Sequence, residues 1–177
     1  MLKNLKDPEI IEKIKKIKLA IFDVDGILTD GKIYWISNDQ TEPGRAFHVI
    51  DGYGLALLAR AKFPTAVITA AKSVMVRRRL EFLGITEIYM GSEDKLSSYE
   101  KLLAQYSLKD EDVSFMADDL FDVPVLKKVG LSVTVPHASD WVKSHCHAVS
   151  SLPGGQGAAR EFIDLIREAN KIGPEYQ

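Results

Sequence analysis

The sequence has few of the features that would place a protein outside an ordinary globular fold. Its 177 residues include one cysteine, Cys146, so no disulfide can form within the chain, as is usual in a reducing compartment. A net charge of -2 supplies no basic surface for nucleic acid or an anionic membrane. No apolar run approaches the roughly 20 residues that a membrane-spanning helix needs. We therefore expect a cytoplasmic protein with neither a membrane nor a nucleic-acid partner.

The length and composition predict a single domain over residues 1–177. Hydrophobic residues make up 46% of the chain and charged residues 27%, which are ordinary values for a protein with a buried core. No low-complexity segment or internal repeat divides the sequence. The chain is therefore expected to form one core.

Short apolar runs alternate with amphipathic stretches along most of the chain. A leading helix is predicted over residues 8–17. Buried strands are predicted at residues 19–22, 65–69, 87–90, 113–117 and 131–135, with helical patterns between them and a last helix near 157–171. Such alternation is typical of the α/β class, with a doubly wound, mainly parallel, Rossmann-like sheet covered by helices on both faces.

Two β-prone runs interrupt this alternation after the first strand. They lie at residues 32–36 and 44–50 and are separated by a polar segment. Two such runs joined by a short polar connection predict a β-hairpin. We therefore expect a hairpin insertion over about residues 32–50, which is too small to form a domain of its own.

Polar side chains follow the predicted strands where the strands end. They are Asp23, Asp25, Thr29 and Asp30 after the first strand, Thr69 in the next, Lys95 after residues 87–90, and Asp118, Asp119 and Asp122 after residues 113–117. Because parallel strands end at one edge of the sheet, these groups are expected to meet at the usual ligand site. Clustered carboxylates suit Mg²⁺, and a hydroxyl and a lysine suit phosphoryl oxygens. One carboxylate would remain available as a nucleophile.

Each of these residues also has an ordinary structural interpretation. Acids mark turns and helix caps, and Asp119 and Asp122 are expected to cap the helix that Pro124 helps to start. Their joint occurrence at the strand ends is what favours phosphoryl transfer. A second apparent cluster, His145, Cys146 and His147, is interpreted as structural, because strand alternation would send the cysteine to the face opposite both histidines.

The motifs resemble those of a known superfamily. "DVDGILTDG" at residues 23–31, Thr69, Lys95 and "ADDLFD" at residues 117–122 resemble the four ordered motifs of the haloacid dehalogenase-like phosphotransferases. Residues 51–54, 82–85, 120–133 and 154–166 resemble the cap-less phosphatases of 3-deoxy-D-manno-octulosonate 8-phosphate (KDO 8-phosphate) and their sialic-acid-type relatives. The resemblance implies a Mg²⁺-dependent phosphomonoesterase acting on a small phosphosugar, KDO 8-phosphate or a close relative.

The resemblance also implies roles for the site residues. Asp23 would attack phosphorus to form an aspartyl-phosphate, and Asp25 would protonate the leaving group and then activate water. Mg²⁺ would be held by the Asp23 carboxylate, the Asp25 backbone carbonyl and Asp118. Thr69 and Lys95 would hold the phosphoryl oxygens. Two further residues complete the set: Thr29 is a candidate for binding substrate, and Asp119 would orient or tune the metal ligands without touching the ion.

The same resemblance implies a homotetramer. The hairpins of the subunits would pack into a central β-barrel, and neighbouring subunits would replace the missing cap. The glycine-rich segment at residues 154–157, followed by Arg160, would reach toward a neighbour's active site, where Arg160 would bind substrate. A simpler interpretation is that these glycines form a loop leading into the last helix.

Some positions depart from the family pattern and leave other functions open. Ile50 and the pair Ala70 and Ala71 stand where the family usually has arginine and Gly-Arg, so positive charge near an anionic sugar is lost. One alternative is therefore a phosphatase of a nine-carbon sialic-type sugar phosphate or another, less anionic phosphosugar. Another is a catalytically weakened scaffold, which Ala117 would also favour. A receiver-like phosphoacceptor is the third. A receiver, however, places its threonine and lysine late in the chain after the phosphorylated aspartate, whereas Thr69 and Lys95 precede the second acid cluster.

Overall fold

A computed structural model describes residues 2–35 and 42–173 of the chain. Its strands are β1 (Lys3–Asn4), β2 (Leu19–Phe22), β3 (Thr65–Thr69), β4 (Glu87–Met90), β5 (Val113–Met116), β6 (Leu131–Thr134) and β7 (Ala148–Val149). Its α-helices are α1 (Pro8–Ile14), α2 (Val49–Arg60), α3 (Val74–Phe82), α4 (Lys95–Tyr106), α5 (Val123–Leu126), α6 (Asp140–Lys143) and α7 (Ala158–Ala169). The strands form one sheet in the order β1-β7-β6-β5-β2-β3-β4, and every pair is parallel.

The centre of the sheet is apolar on both faces. All residues of β2, β5 and β6 are buried, as parallel strands covered by helices require. On one face α7 packs against α2 and α1, and the ring of Phe162 in α7 lies 6.2 Å from that of Phe22. On the other, α4 packs against α5 and β3. No helix in the described part of the chain is long and apolar enough to cross a membrane.

The predicted α/β fold is confirmed, and the five predicted strands are β2 to β6. The two strands that the sequence pattern missed, β1 and β7, have two residues each and pair at one side of the sheet. Strands this short carry no periodic signal. The leading helix ends at Ile14, and Ile17 follows it into the core.

The insertion after β2 runs out and returns antiparallel to itself. Thr29 pairs with Phe47, and Tyr34 pairs with Gly44, as isolated antiparallel bridges; residues 36–41 lie outside the described part of the chain. The predicted second run extends too far, because residues 49–50 form the first turn of α2. Both of these residues are exposed, so their β-propensity finds no sheet surface against which to pack.

The groups of the His-Cys-His segment each have a partner in the protein. The Nδ1 atom of His147 lies 2.7 Å from the hydroxyl of Ser132, and that of His145 lies 2.8 Å from the carbonyl of Trp141. The thiol of Cys146 donates to the carbonyl of Val142 at 3.4 Å. These contacts hold the chain between α6 and β7.

The thiol of Cys146 is expected to react slowly in the folded protein. Burial raises its pKa to about 12, so little thiolate is present at pH 8, and the thiolate is the reactive form. Alkylation by iodoacetamide at pH 8 should be about a thousandfold slower in the native protein than in denaturant. Equal rates in the two conditions would contradict this burial.

Candidate active site

The loop after β2 is folded tightly around one carbonyl group. The N–H groups of Ile27, Leu28 and Thr29 all donate to the carbonyl of Val24, at 3.2, 2.9 and 3.0 Å. The hydroxyl of Thr29 donates to the same carbonyl at 3.3 Å and accepts from the N–H of Gly26 at 3.4 Å. Thr29 is fully buried. It therefore stabilises the loop, and its role in contacting substrate stays a prediction.

Asp23 and Asp122 share one buried lysine. The Nζ atom of Lys95 lies 2.8 Å from Oδ1 of Asp23 and 2.5 Å from Oδ1 of Asp122, and its cation lies 4.8 Å from the ring centroid of Phe121. Burial opposes the charge on Lys95, but the two carboxylates outweigh that effect and raise its pKa. The lysine is therefore a fixed positive charge beside Asp23.

Asp118 completes a cluster of carboxylates with Asp23 and Asp122. Oxygen atoms of the three lie within 4.8 Å of one another. Burial, reinforced by the neighbouring carboxylates, raises the pKa of Asp118 to about 8, and burial raises that of Asp23 to about 7. Oδ1 of Asp118 is buried and has no hydrogen-bond partner within the described residues. Crowded, under-coordinated carboxylate oxygens fit a hard divalent cation such as Mg²⁺.

This cluster predicts a pH-dependent stability in the absence of metal. The pKa values of Asp23 and Asp118 are both raised above 3.8, the ordinary value for an aspartic acid side chain, so the folded protein binds more protons than the unfolded chain. Stability should therefore fall as the pH rises from about 4 to about 8. With chelator, the thermal midpoint should be lower at pH 8 than at pH 6, and Mg²⁺ should raise it more at pH 8. A midpoint at pH 8 that does not respond to Mg²⁺ would count against a metal site here.

Two glycines allow the chain to approach the cluster closely. Gly26 has φ of +83°, and a Cβ atom there would lie 2.1 Å from Oδ2 of Asp118. On the other side, a Cβ atom on Gly154 would lie 1.6 Å from the carbonyl oxygen of Gly26, and the N–H of Gly155 donates to the carbonyl of Ile27 at 2.8 Å. The glycine-rich segment therefore packs under its own chain's loop, which agrees with the simpler interpretation of these residues.

Replacing Gly26 with alanine is expected to displace the carboxylate of Asp118. We expect Mg²⁺ affinity to fall by about 10-fold to 100-fold, the range found when metal ligands lose their support. Gly31→Ala is a matched control, because Gly31 also has positive φ, +72°, but its Cβ would meet nothing closer than 3.5 Å. Titration of Mg²⁺ followed by calorimetry measures the difference. Equal effects of the two substitutions would show that backbone strain, and not the contact with Asp118, is responsible.

The side chain of Asp25 lies apart from the cluster and pairs with Arg45. Nε of Arg45 lies 2.6 Å from Oδ1 of Asp25, and Nη2 lies 3.1 Å from Oδ2. A bidentate pair of this kind fixes the plane of the carboxylate. Sequence reasoning missed Arg45, since its contact with Asp25 depends on the path of the insertion.

Thr69 and Asp119 lie at the same edge of the sheet. Phe22 pairs with Val67 in the β2–β3 register, so Thr69 ends β3 beside the loop of Asp23; it is buried, and its hydroxyl accepts from the N–H of Ala71 at 3.2 Å. Asp119 is exposed and caps the 3₁₀ helix Leu120–Asp122 through the N–H of Leu120 at 2.7 Å. From this helix Asp122 contacts Lys95, and the role of Asp119 in orienting the metal ligands stays a prediction.

The predicted role of Asp122 was too limited, and His137 was missed. Asp122 accepts from the N–H of Asp119 at 3.0 Å, as a capping residue does, and it also belongs to the carboxylate cluster. Nε2 of His137, in the loop after β6, lies 3.5 Å from Oδ2 of Asp118. The capping pattern in the sequence accounts for Asp122 by itself, so it gave no indication of the contact between Asp122 and Lys95.

Arg160 makes its contacts at the start of α7. Its backbone N–H donates to Oδ1 of Asp51 at 2.7 Å, and its Nε donates to Oδ2 of Asp164 at 2.8 Å. Its guanidinium lies 6.0 Å from the ring centroid of Tyr53. Within the described residues it has no contact with Asp23, so its role in binding substrate stays a prediction about a neighbouring subunit.

Comparison with known proteins agrees with this fold. Residues 72–161 match the family of haloacid dehalogenase-like hydrolases. The 3-deoxy-D-manno-octulosonate 8-phosphate phosphatase of Yersinia pestis is 41% identical over 158 residues, which cover 89% of this chain and 83% of that protein. The corresponding phosphatase of Escherichia coli K12 is 40% identical over 158 residues, again 89% and 83%.

Solved structures show the same similarity. A crystal structure of the Yersinia pestis phosphatase has a TM-score of 0.87 at 40% identity and covers 93% of this chain and 88% of its own. The phosphatase of Moraxella catarrhalis, in complex with magnesium, phosphate and KDO, has a TM-score of 0.86 at 36% identity, with 93% and 94% covered.

The parallel sheet with a carboxylate cluster and a buried lysine at its carboxyl edge is that of a phosphoryl-transfer hydrolase, and the chain belongs to the haloacid dehalogenase-like hydrolases. It is a phosphoric monoester hydrolase, similar over most of its length to the KDO 8-phosphate phosphatases.

Proposed function

We propose that the protein hydrolyses KDO 8-phosphate, or a closely related phosphosugar, with Mg²⁺ and through an aspartyl-phosphate on Asp23. The observation that carries the proposal is the cluster of Asp23, Asp118 and Asp122 beside Lys95, in a chain 41% identical to a KDO 8-phosphate phosphatase. The magnesium, phosphate and KDO in the Moraxella catarrhalis structure support the same substrate and metal.

In the first half of the reaction, a carboxylate oxygen of Asp23 attacks phosphorus as the bond from phosphorus to the sugar oxygen breaks. Asp25 gives its proton to the departing oxygen. Lys95 is fixed beside Asp23, where its positive charge favours the ionised nucleophile and stabilises the charge on the phosphoryl oxygens. Thr69 would bind another of those oxygens from the end of β3.

In the second half, a water molecule attacks the phosphorus of the aspartyl-phosphate. Asp25, now a carboxylate, takes a proton from that water as the bond from phosphorus to Asp23 breaks. Mg²⁺ bound by Asp23, Asp118 and the backbone carbonyl of Asp25 would neutralise charge on nucleophile and phosphate. Phosphate and the free sugar are the products.

A panel of phosphosugars tests the substrate. With Mg²⁺, kcat/KM should be highest for KDO 8-phosphate, and the panel should include a nine-carbon sialic-type 9-phosphate and glucose 6-phosphate. EDTA should abolish release of phosphate, and added Mg²⁺ should restore it. A clear preference for the nine-carbon substrate would favour the alternative suggested by Ile50, Ala70 and Ala71.

The homotetramer is also a proposal. Exposed apolar side chains lie along the insertion and the start of α2: Ile33, Tyr34, Trp35, Val49 and Ile50, with 40% to 75% of each residue's surface accessible. Large exposed apolar side chains are typical of interfaces between proteins, and further copies of this chain are the partners that we propose. Trp35→Glu should convert a tetramer into smaller species in analytical ultracentrifugation, and a wild-type monomer would overturn the proposal. The cytoplasmic location stays a prediction.

A further inference from the structure

The returning arm of the insertion reaches the active site through one side chain. Arg45 forms two hydrogen bonds with Asp25, at 2.6 and 3.1 Å, and its side chain is only 9% exposed, compared with 42% for that of Asp25. Nη1 of Arg45 also lies 3.5 Å from the carbonyl of Pro43. Holding a long arginine side chain in one buried geometry has an entropic cost. The hydrogen bonds to Asp25 must offset that cost, so the pair is a specific feature of the fold.

Contacts on both sides of Arg45 hold the arm in place. Oxygen atoms of Glu42 accept from the N–H groups of Val74 and Met75, at 3.1 and 3.2 Å, at the start of α3. Gly44 and Phe47 form the two antiparallel bridges of the insertion. Arg45 therefore approaches Asp25 from a segment that is fixed to α3 and to the loop after β2.

Asp25 needs such support more than Asp23 does. Asp23 is buried and fixed by Lys95, whereas Asp25 is partly exposed and, within the described residues, hydrogen-bonds through its side chain only to Arg45. Proton transfer depends on the distance and orientation of the acid relative to the leaving oxygen. An exposed carboxylate without a partner would sample several rotamers.

We propose that Arg45 is a positioning residue that holds the carboxyl group of Asp25 for proton transfer to the leaving oxygen. The inference rests on the proposed function. The arginine uses one lone pair on each carboxylate oxygen, and each oxygen keeps a second one, so Asp25 can still carry the proton. That proton passes to the sugar oxygen as the electron pair of the bond between phosphorus and that oxygen moves onto the oxygen.

Two substrates that differ in their need for a proton test this role. A phosphosugar leaves as a poor alkoxide that must be protonated, whereas p-nitrophenyl phosphate leaves as a stable phenolate. The value of kcat/KM reports the steps up to departure of this group. Arg45→Gln should lower kcat/KM about 10-fold to 100-fold for the phosphosugar, part of the usual contribution of acid catalysis, and should leave that for p-nitrophenyl phosphate nearly unchanged.

A double-mutant cycle tests whether Arg45 acts through Asp25. In an Asp25→Asn background, Arg45→Gln should cause little further loss on the phosphosugar. Arg45→Lys should give intermediate activity, because an ammonium group keeps the charge but not the two-pronged geometry. Lys32→Gln is the matched control. The side chain of Lys32, on the outgoing arm, is 71% exposed and pairs with Asp30, so this substitution should leave kcat/KM for both substrates unchanged.

The outcomes separate the possible roles. Equal losses on both substrates, or additive losses in the cycle, would show that Arg45 only anchors the insertion, and would overturn the inference. If Arg45→Gln does not fold, as judged by circular dichroism, Arg45→Lys carries the same comparison. A wild-type protein that hydrolyses neither substrate would instead refute the proposed function itself.

Discussion

Asp23→Asn should lower kcat for hydrolysis of the phosphosugar by at least about a thousandfold, as expected for the loss of a covalent nucleophile. An amide has no negative charge with which to attack phosphorus, and it is a poorer ligand for Mg²⁺. The substitution is nearly isosteric in a fully buried position, so the fold should be retained. Release of phosphate at saturating Mg²⁺ measures the effect.

Asp30→Asn is the control for this substitution. Asp30 lies in the same loop, but its carboxylate accepts from the hydroxyl of Tyr34 at 2.8 Å and lies outside the cluster around Asp23. It should keep most of the wild-type turnover. An Asp23→Asn protein that is folded and turns over at the wild-type rate would exclude Asp23 as the nucleophile.

Lys95→Met should destabilise the protein and inactivate it. Asp23 and Asp122 would keep their burial but lose the cation between them, and breaking a buried ion pair at one partner costs about 3–5 kcal/mol. Urea denaturation in the absence of Mg²⁺ measures the change in free energy of unfolding. Turnover should fall because a charge that stabilises the phosphoryl oxygens is removed.

Two further variants test whether the loss of stability in Lys95→Met comes from its buried ion pairs. Lys128→Met removes a lysine from an exposed pair with Glu100 and should cost less than about 1 kcal/mol. Adding Asp122→Asn to Lys95→Met should recover part of the lost stability, because one uncompensated carboxylate disappears. If Lys95→Met were no more destabilising than Lys128→Met, the buried ion pairs would not be important to the fold.

The sequence predicted the sheet well because its central strands are buried. Runs such as 19–22 and 113–116 are apolar at every position or nearly so, and burial on both faces of a parallel sheet requires that pattern. Because parallel strands end at the same edge of a sheet, the sequence also predicted that Asp23, Lys95 and Asp118 lie at one edge. Their contacts were not needed for that prediction. Strands β1 and β7 were missed because two residues are too few to carry a periodic signal.

The remaining site residues depend on contacts that a linear pattern does not contain. Arg45 contacts Asp25 only because the insertion folds back over the loop. Asp122 was interpreted as a helix cap, which it is, but the 3₁₀ helix also turns its carboxylate toward Lys95. The predicted contact of Thr29 with substrate depends on geometry in the same way. Its hydroxyl bonds within its own loop, and neither residue type nor position at a strand end distinguishes such a bond from a contact with substrate.

The stereochemical course at phosphorus tests the account most directly. A thiophosphoryl analogue of the substrate, made chiral at phosphorus with sulfur and two oxygen isotopes, is hydrolysed in water that carries the third oxygen isotope, and the configuration of the released thiophosphate is determined. Transfer first to Asp23 and then to water inverts phosphorus twice, so the account predicts overall retention. Overall inversion would mean that water attacks the substrate directly, and would contradict an aspartyl-phosphate on Asp23.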